Sequence, residues 1–196
     1  MTVKARKCEI LTVASALFAE RGFDAVSVRD LARALQMTPA GLYHHFTDKE
    51  ELYRETLVYV FSRIDPILDQ TGNGKTTRDY LEQLVHSIIC FLLQDTVFMH
   101  LLSRALVSDN VERSAFLVEK VLRPLYGKIV RELTAKEEPS TVQILADTFV
   151  ISIIGSVHMA RFFSCLHHDP SYASDPEAIT ACIMQILNRQ VSEPGL

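Results

Sequence analysis

Glycine and proline are scarce in this chain of 196 residues, with seven of each, and no segment is of low complexity. The four cysteines, Cys8, Cys90, Cys165 and Cys182, lie far apart and form no CxxC pair. This spacing argues for free thiols in a reducing cytoplasm rather than a disulfide framework, so we expect a cytoplasmic protein. Cys8 adjoins the apolar side of the first helix, and we expect it in the core. We expect no signal peptide, because the first residues form an amphipathic, charged segment.

Long hydrophobic runs are also missing. The most apolar stretch, Thr148–Met159, is bracketed by Asp147 and Arg161 and is too short to span a bilayer. We therefore expect a helix buried inside the protein or between subunits, and no membrane partner.

Positive charge is not in excess, since the formal net charge of −4 gives no general nucleic-acid signature. The charge is nevertheless uneven: residues 1–50 carry seven basic and six acidic side chains, and the remainder carries thirteen and eighteen. Lys4, Arg6 and Lys7 form a basic amino-terminal arm. If this arm binds DNA, it follows phosphates or enters the minor groove; a solvated terminus is the alternative.

Patterns typical of catalysis or metal binding are absent from the sequence. The segment Cys165-Leu166-His167-His168-Asp169 fits no familiar zinc spacing and favours a polar helix end. Gly72–Thr77 resembles the end of a phosphate-binding loop, but Asp69 stands where that motif needs a glycine. There are no paired carboxylates on a shared face and no nucleophile-base motif. We therefore expect no enzymatic activity, no metal site and no cofactor.

The most informative segment is SVRDLARALQMTPAGLYHHF, residues 27–46. Ser27 begins a capping-box pattern that starts a short helix, and Leu35–Met37 leaves room for a three-residue turn. Thr38 fits the N-cap of a second helix. Pro39 then occupies the first helical position, where a missing N–H costs nothing. The segment predicts two short helices joined by a tight turn.

The second of these helices has two unlike faces. Leu42 and Phe46 are four residues apart and point the same way, toward the preceding helices. The opposite face is small at Ala40 and polar or aromatic at Tyr43 and His44. Small side chains let a backbone approach a base edge, and Tyr and His donate to phosphates or bases. This pattern is typical of a helix-turn-helix, whose second helix enters the major groove. The alternative is a helix pair that binds nothing.

The flanking segments complete a helical domain. An amphipathic helix precedes the motif and ends at Gly22, a residue suited to a left-handed cap. Its apolar side is formed by Ile10, Leu11, Ala14, Leu17 and Phe18. A long helix follows the motif, and Thr47 and Glu50 fit a second capping box at its start.

From Ile10 to Leu57 the sequence closely resembles the TetR/AcrR family of bacterial transcriptional regulators. The LFAERGF segment, the SVRDLA helix, the TPAGLYHHF helix and the DKEEL start of the next helix occur in order. The resemblance covers about the first quarter of the chain, and the rest fits the family in length and helical character. One departure is Leu35-Gln36-Met37, where the family more often has an Ala-Gly-Val-like turn. Without the glycine, the backbone is less free in φ.

The resemblance implies that the second helix of the motif and its surroundings contact DNA. Lys49 matches the family's lysine at the start of the fourth helix, which contacts phosphate. Tyr43 and His45 would contact the DNA backbone and so position the protein on it. For His45 the alternative is packing against the first helix. His44 is the better candidate for base contact. The residues expected at the DNA are Ser27, Arg29, Thr38, Pro39, Ala40, Gly41, Tyr43, His44, His45 and Lys49.

The expected fold is all-α, with about nine helices. A helix-turn-helix DNA-binding domain occupies residues 1–47, and a larger helical ligand-binding and dimerisation domain occupies residues 48–196. Strand signals are weak. Pro66 and Pro124 should kink or split the helices that contain them. The helices predicted after the motif span 48–69, 76–94, 96–108, 110–135, 140–167 and 175–191.

The last two long helices carry more apolar surface than one core needs. The resemblance implies that they form a four-helix interface with a second subunit, and monomer core is the alternative. A palindromic operator also requires two recognition helices, about 34 Å apart. The residues expected at this interface are Ile151, Ile154, Gly155, Phe162, Phe163, Ile179, Ile183, Ile186 and Leu187.

The resemblance also implies a small-molecule cavity among the middle helices. Its candidate residues are aromatic or polar at inward-looking positions, with plain core packing as the alternative: Phe61, Tyr80, Phe98, His100, Arg104, Phe116, Tyr126, His158 and Phe162. The function implied is a homodimeric repressor that a small-molecule effector releases from a palindromic operator in double-stranded DNA. An activator of the same fold, or a regulator controlled by a protein partner or by thiol oxidation, is the alternative.

Overall fold

The chain folds into helices throughout the part that is described. The computed structural model describes residues 3–70, 77–124, 126–127, 130, 139–168 and 175–192. Within these ranges there is no strand, which confirms the all-α prediction, and ten α-helices have defined bounds, against about nine expected. They are α1 (Val3–Arg21), α2 (Val28–Ala34), α3 (Pro39–Tyr43), α4 (Lys49–Phe61), α5 (Asp65–Gln70), α6 (Thr77–Gln94), α7 (Thr96–Leu106), α8 (Val111–Leu117), α9 (Pro139–His167) and α10 (Pro176–Ser192).

Packing divides the chain into two units. Unit 1 comprises Met1–Arg63 and Thr96–Val121, and unit 2 comprises Ile64–Asp95 and Leu122–Leu196. Unit 1 therefore joins α4, α7 and α8 to the first three helices. The functional boundary that we predict after residue 47 concerns activity rather than packing, and it stays a prediction.

In unit 1, α1 packs against α4, α7 and α2. The predicted apolar side of α1 is buried, with Ile10 and Phe18 both 0% exposed. Cys8, which we expected in the core, is exposed instead. It lies one and two turns before Thr12 and Ala16, which are exposed as well, so these residues form the solvent side of the helix.

Local signals fix the starts of α2 and α3 as predicted. The Ser27 hydroxyl accepts from the Asp30 amide at 3.1 Å, and the Asp30 carboxylate accepts from the Ser27 amide at 3.0 Å. Thr38 Oγ1 accepts from the Gly41 amide at 3.1 Å. In the turn between the helices, Gln36 has a φ of 52°. This left-handed backbone is the conformation that a glycine would adopt more easily.

The start of α4 differs from the prediction by one residue. Asp48 is the N-cap, and its Oδ1 accepts from the Glu51 amide at 2.8 Å. The Thr47 hydroxyl instead donates to the Glu51 carboxylate at 2.7 Å. Aspartate caps helices better than threonine does, which accounts for the shift. As a consequence, the side chain of Glu50 is available to a partner from another helix.

Irregular turns lie near the two prolines that we expected to disturb helices. The 3₁₀ turn Ser62–Ile64 separates α4 from α5, whose second residue is Pro66. The π-helical turn Val118–Leu122 follows α8 and precedes Pro124. A proline inside a helix lacks an N–H and crowds the carbonyl one turn earlier, so regular hydrogen bonding is interrupted before it.

Unit 2 is built on α6, α9 and α10, which pack against one another, with α5 packed on α6. Helix α9 is longer than its most apolar stretch. By length and composition, Val142–Ala160 is long and apolar enough to cross a membrane. The expectation that the apolar stretch is too short to span a bilayer is therefore wrong. Of this segment, 24% is buried. The intervals that the predicted helices leave at 70–75, 136–139 and 168–174, and the loop-like Gly72–Thr77, fall wholly or partly outside the described residues.

Candidate DNA-binding surface

Helix α3 presents one buried and one exposed face. Leu42 and Phe46 are each 3% exposed, and α3 packs against α2. On the other side Tyr43 is 53% exposed, and Ala40 and His44 are exposed too. The two-faced helix that the sequence predicts is therefore present, with its small and polar side open to solvent.

The residues predicted at the DNA come from the starts of α2 and α4 and from α3 with its caps. The half-buried ones are Gly41, His45 and Lys49. The His45 ring lies 6.4 Å from the ring of Phe46, so it packs partly on the domain. The exposed ones are Ser27, Arg29, Thr38, Pro39, Ala40, Tyr43 and His44. Their contact with DNA stays a prediction.

The basic arm is part of α1, and two of its three side chains have partners within unit 1. Arg6 pairs with Glu9 at 2.6 Å. Lys7 pairs with Glu55 at 2.6 Å, and its ammonium also lies 5.2 Å from the ring centroid of Phe46. These contacts tie the beginning of α1 to α4 and to the end of the helix-turn-helix. The side chain of Lys4 lies outside the described residues.

At the start of α4, two cations meet one aromatic ring. The ammonium of Lys49 lies 4.0 Å from the ring centroid of Phe23, in the loop after α1. The guanidinium of Arg113, from α8, lies 3.6 Å from the same centroid. The ring of Tyr53 packs against Phe23 edge-on at 5.1 Å. Cations are attracted to the face of an aromatic ring, so Phe23 brings Lys49 and Arg113 together.

Four charged side chains join α8 to the first turns of α4, and we call them the α4–α8 clasp: Glu50, Arg54, Glu112 and Arg113. Arg113 donates twice to the Glu50 carboxylate, from Nε at 3.1 Å and from Nη2 at 2.7 Å. Arg54 donates to Glu112 at 3.3 Å. The hydrogen bonds from Arg113 to Glu50 raise the pKa of the Arg113 guanidinium above its ordinary value. The Arg113 guanidinium therefore keeps its charge at any pH near neutrality.

Sequence reasoning did not predict that the Phe23 ring contacts Lys49, or that Arg113 contacts the same ring. Arg113 and Glu50 are 63 residues apart, and the chain offers many other charged pairs at such separations. The one local signal was the i, i+4 spacing of Glu50 and Arg54, which favours an ion pair on a helix.

A cleft of about 570 Å³ opens beside the clasp in unit 1. It lies between the loop after α1, α4, α7 and α8. Its lining residues are mixed in charge and include Arg21, Asp24, Arg104, Asp109 and Arg113. Of the residues predicted to bind a ligand, Arg104 lines this cleft.

The nine predicted ligand-binding residues are distributed over both units. Phe61, Phe98, His100, Arg104 and Phe116 lie in unit 1, and Tyr80, Tyr126, His158 and Phe162 lie in unit 2. In unit 1, Phe61 and Phe98 are buried and meet edge-on at 4.9 Å, whereas His100 is exposed. In unit 2, the Tyr126 hydroxyl donates to the Gln143 carbonyl at 3.4 Å. The ligand site stays a prediction.

An exposed apolar line runs along α9. It consists of Ile144, Ile151, Met159, Phe162 and Leu166, at spacings that place them on one side of the helix. Of the predicted interface residues, Ile151, Phe162 and Ile186 are exposed, Ile154, Gly155, Phe163 and Ile179 are half-buried, and Ile183 is buried in the core of unit 2. The side chain of Leu187 lies outside the described residues.

The comparisons with known proteins agree on one family. The model of the tetR family of bacterial regulatory proteins matches residues 10–56. The HTH-type transcriptional repressor KstR2 of Mycobacterium tuberculosis is 44% identical over 75 residues, or 36% of this chain and 38% of that relative. The match therefore spans well under half of KstR2. IcaR of Staphylococcus aureus (strain Newman), a negative regulator of the biofilm operon icaADBC, is 30% identical over 162 residues, or 81% of this chain and 85% of IcaR. The chain belongs to the tetR family.

Solved tetR-like structures share the fold across nearly the whole chain. A TetR-like transcriptional regulator from Rhodococcus sp. RHA1 has a TM-score of 0.78 at 16% identity, covering 99% of this chain and 100% of that one. FadR from Bacillus subtilis, solved with stearoyl-CoA, has a TM-score of 0.71 at 16% identity, covering 91% and 95%. At these identities the likeness shows the tetR-family fold.

Proposed function

We propose that this tetR-family chain is a sequence-specific DNA-binding transcriptional repressor that acts as a homodimer on a palindromic operator. One observation carries the proposal: Leu42 and Phe46 anchor α3 while Ala40, Tyr43 and His44 stand exposed. A short helix held in this way is suited to enter the major groove. KstR2 and IcaR, two relatives of this chain, are a repressor and a negative regulator. Such a role places the protein in the cytoplasm and requires no enzymatic step.

The apolar line on α9 supports the homodimer. Ile151 is 69% exposed and Phe162 is 58% exposed, and exposed apolar side chains in a contiguous line favour burial against a partner. A second copy would cover this line on both subunits by two-fold symmetry. It would also present two copies of α3 to half-sites about one helical turn apart. The apolar character of Val142–Ala160 then needs no membrane.

Release by a small molecule is the regulatory part of the proposal. Helices α7 and α8 pack in unit 1 with α1 and α4, so an effector that moves the middle helices also moves the start of α4. An effector shifts the equilibrium only by its differential affinity for the two states, typically about 1–3 kcal/mol. Because FadR from Bacillus subtilis was solved with stearoyl-CoA, long-chain acyl-CoA thioesters are the first effectors to screen.

The decisive experiment selects duplex DNA from a random pool with the purified protein and then measures affinity against salt. We expect a palindrome whose half-sites lie about one helical turn or slightly more apart, bound with a steep salt slope. His44→Ala and Tyr43→Ala should abolish selective binding. His100→Ala, which changes an exposed histidine on α7, is the matched control and should bind normally. No enriched sequence, or unchanged binding by both α3 variants, contradicts the proposal.

Transcription from a promoter that carries the selected operator separates the forms of regulation. A repressor lowers transcript in vitro, and an effective acyl-CoA restores it. Raised transcript on adding the protein would instead identify an activator. Release by hydrogen peroxide that a thiol reductant reverses would identify control by one of the cysteines.

A further inference from the structure

Arg113 lies in α8, outside the helix-turn-helix, yet it contacts Phe23, whose ring lies against the Lys49 ammonium, and Glu50, the next residue after Lys49 in the chain. We propose that Arg113 is a positioning residue for DNA binding: through Phe23 and Glu50 it holds Lys49 where its ammonium contacts a DNA phosphate. This inference rests on the proposed function.

The first step is that Arg113 is itself fixed. Its side chain is 14% exposed and donates two hydrogen bonds to the Glu50 carboxylate. Its guanidinium carbon also lies 5.5 Å from the ring centroid of Tyr53. A planar guanidinium held by a two-point pair and by aromatic rings has little rotational freedom. Arg113 is therefore a rigid support.

The second step is that this support reaches Lys49 through Phe23. The Phe23 ring is in contact with Arg113 at 3.6 Å and with Lys49 at 4.0 Å, measured from the ring centroid. Phe18 and Tyr53 pack against the same ring. A lysine side chain has four rotatable bonds and loses much entropy when it is fixed. Because the Phe23 ring is fixed by its neighbours and the Lys49 ammonium lies against it, Lys49 loses less conformational entropy when it binds a phosphate.

The third step concerns the charge next to Lys49. Glu50 follows Lys49 directly, and its carboxylate would attract the ammonium or repel a phosphate if it were unpaired. The pair with Arg113 neutralises this carboxylate. Arg54 adds a second cation, with its Nε at 3.6 Å from Glu50 Oε1. The Glu50 carboxylate therefore does not offset the charge of the Lys49 ammonium.

The experiment compares four proteins on the operator selected by the wild type. They are the wild type, Lys49→Met, the charge-neutral double variant Glu50→Gln/Arg113→Gln, and the triple variant that combines them. Loss of one phosphate contact lowers the salt slope by about one, or about two for a symmetric dimer. For a dimer, the factor by which affinity falls between 50 and 200 mM salt should therefore be about tenfold smaller than in the wild type, both for Lys49→Met and for the double variant.

The triple variant should match Lys49→Met, because the support has no other route to the DNA. Discrimination between the operator and a one-base variant should stay at the wild-type ratio in all four proteins, since phosphate contacts carry no sequence information. Lys120→Gln, an exposed lysine in the segment after α8, is the matched control and should keep the wild-type slope. Phe23→Leu, which removes the ring alone, should lower the slope as Lys49→Met does.

A double variant and a Phe23→Leu protein that both keep the wild-type slope would overturn the inference. So would a triple variant that loses a further unit of slope, or a Lys49→Met protein with the wild-type slope. The slope does not depend on the active fraction of the protein, so partial unfolding does not imitate the expected result. A wild type that selects no duplex contradicts the proposed function instead.

Discussion

Arg104 on α7 caps the carboxyl end of α1, because its Nε donates a hydrogen bond to the backbone carbonyl of Ala19 at 3.0 Å. Its Nη2 donates to the carbonyl of Glu20 at 2.8 Å. The last carbonyls of a helix have no partner within the helix, and here a side chain 85 residues away supplies one. A Cβ at Gly22, whose φ is 82°, would lie 2.9 Å from Arg104 Nη1. The glycine that ends α1 therefore also makes room for the arginine.

Replacing Arg104 should destabilise the protein. Arg104→Gln removes two hydrogen bonds from a charged donor and leaves the carbonyls at the end of α1 to water, so we expect the free energy of unfolding to fall by about 1–3 kcal/mol. Urea denaturation followed by circular dichroism measures this. His100→Gln, at an exposed position one turn earlier on α7, should change the value by less than about 0.5 kcal/mol. Equal values for the two variants would show that water replaces the arginine without cost.

The turn of the helix-turn-helix is strained at Gln36. Its φ of 52° lies in the left-handed region, which costs a non-glycine residue about 1 kcal/mol. Gln36→Gly should therefore raise the free energy of unfolding by a few tenths to about 1 kcal/mol, since the greater freedom of glycine in the unfolded chain offsets part of the gain. Gln36→Val should lower it. The ordering Gly, Gln, Val in chemical denaturation is the check, and a glycine variant less stable than wild type would contradict it.

The capping box of α2 should make stability depend on acid pH. Hydrogen bonds from the Ser27 hydroxyl and amide lower the pKa of the Asp30 carboxyl. A lowered pKa in the folded state means that the contribution is present above the ordinary carboxyl pKa and is lost as pH falls through the folded pKa. Ser27→Ala should raise the Asp30 pKa toward its ordinary value, as measured by carboxyl carbon shifts in an NMR titration. Thr47→Ala is the control; it should raise the pKa of Glu51 and leave Asp30 unchanged.

Replacing Gly41 should weaken DNA binding without lowering the stability of the fold. A Cβ there would lie 3.0 Å from the terminal methyl of Met37, a flexible group that can move, and 3.5 Å from Thr38 Oγ1. Gly41→Ala should keep the protein stable or raise its free energy of unfolding by up to about 1 kcal/mol, because alanine favours helix. The added methyl should nevertheless weaken operator binding by at least tenfold, or about 1.4 kcal/mol. Thermal unfolding and operator affinity, measured on one preparation, test both halves, and normal affinity would place Gly41 away from the DNA.

The features that the sequence predicted correctly depend on residues close together in the chain. Ser27 and Thr38 cap helices through atoms three residues away, and Gly22 ends α1 with the left-handed backbone expected of it. Where two neighbours compete for the same role, the prediction was less accurate. Asp48 rather than Thr47 caps α4, because both can accept the same kind of bond and aspartate does so better.

The contacts that sequence reasoning missed join distant segments. Arg104 reaches residues 84 and 85 positions away, and Arg113 reaches Glu50 across 63 positions. No local pattern identifies the partners of these two arginines, because those partners are backbone carbonyls and a carboxylate that become neighbours after folding. The sequence could therefore predict the two-faced helix α3, but not the contacts that α7 and α8 make with α1 and α4.

The dimer proposed above should depend on the apolar line of α9. Phe162 is 58% exposed, and its ring packs only against its neighbour Phe163 among the ring contacts of the described residues. Phe162→Glu would bury two carboxylates at a two-fold interface, one from each subunit. Burying an unpaired charge costs several kcal/mol, so the dimer would be destabilised. We expect the variant to sediment as a monomer at micromolar concentration and to lose operator binding. Gln185→Glu, which adds the same charge at an exposed position of α10, should remain dimeric. A dimeric Phe162→Glu protein would place the interface elsewhere on the chain, and the spacing of the two α3 helices would then have to come from another surface.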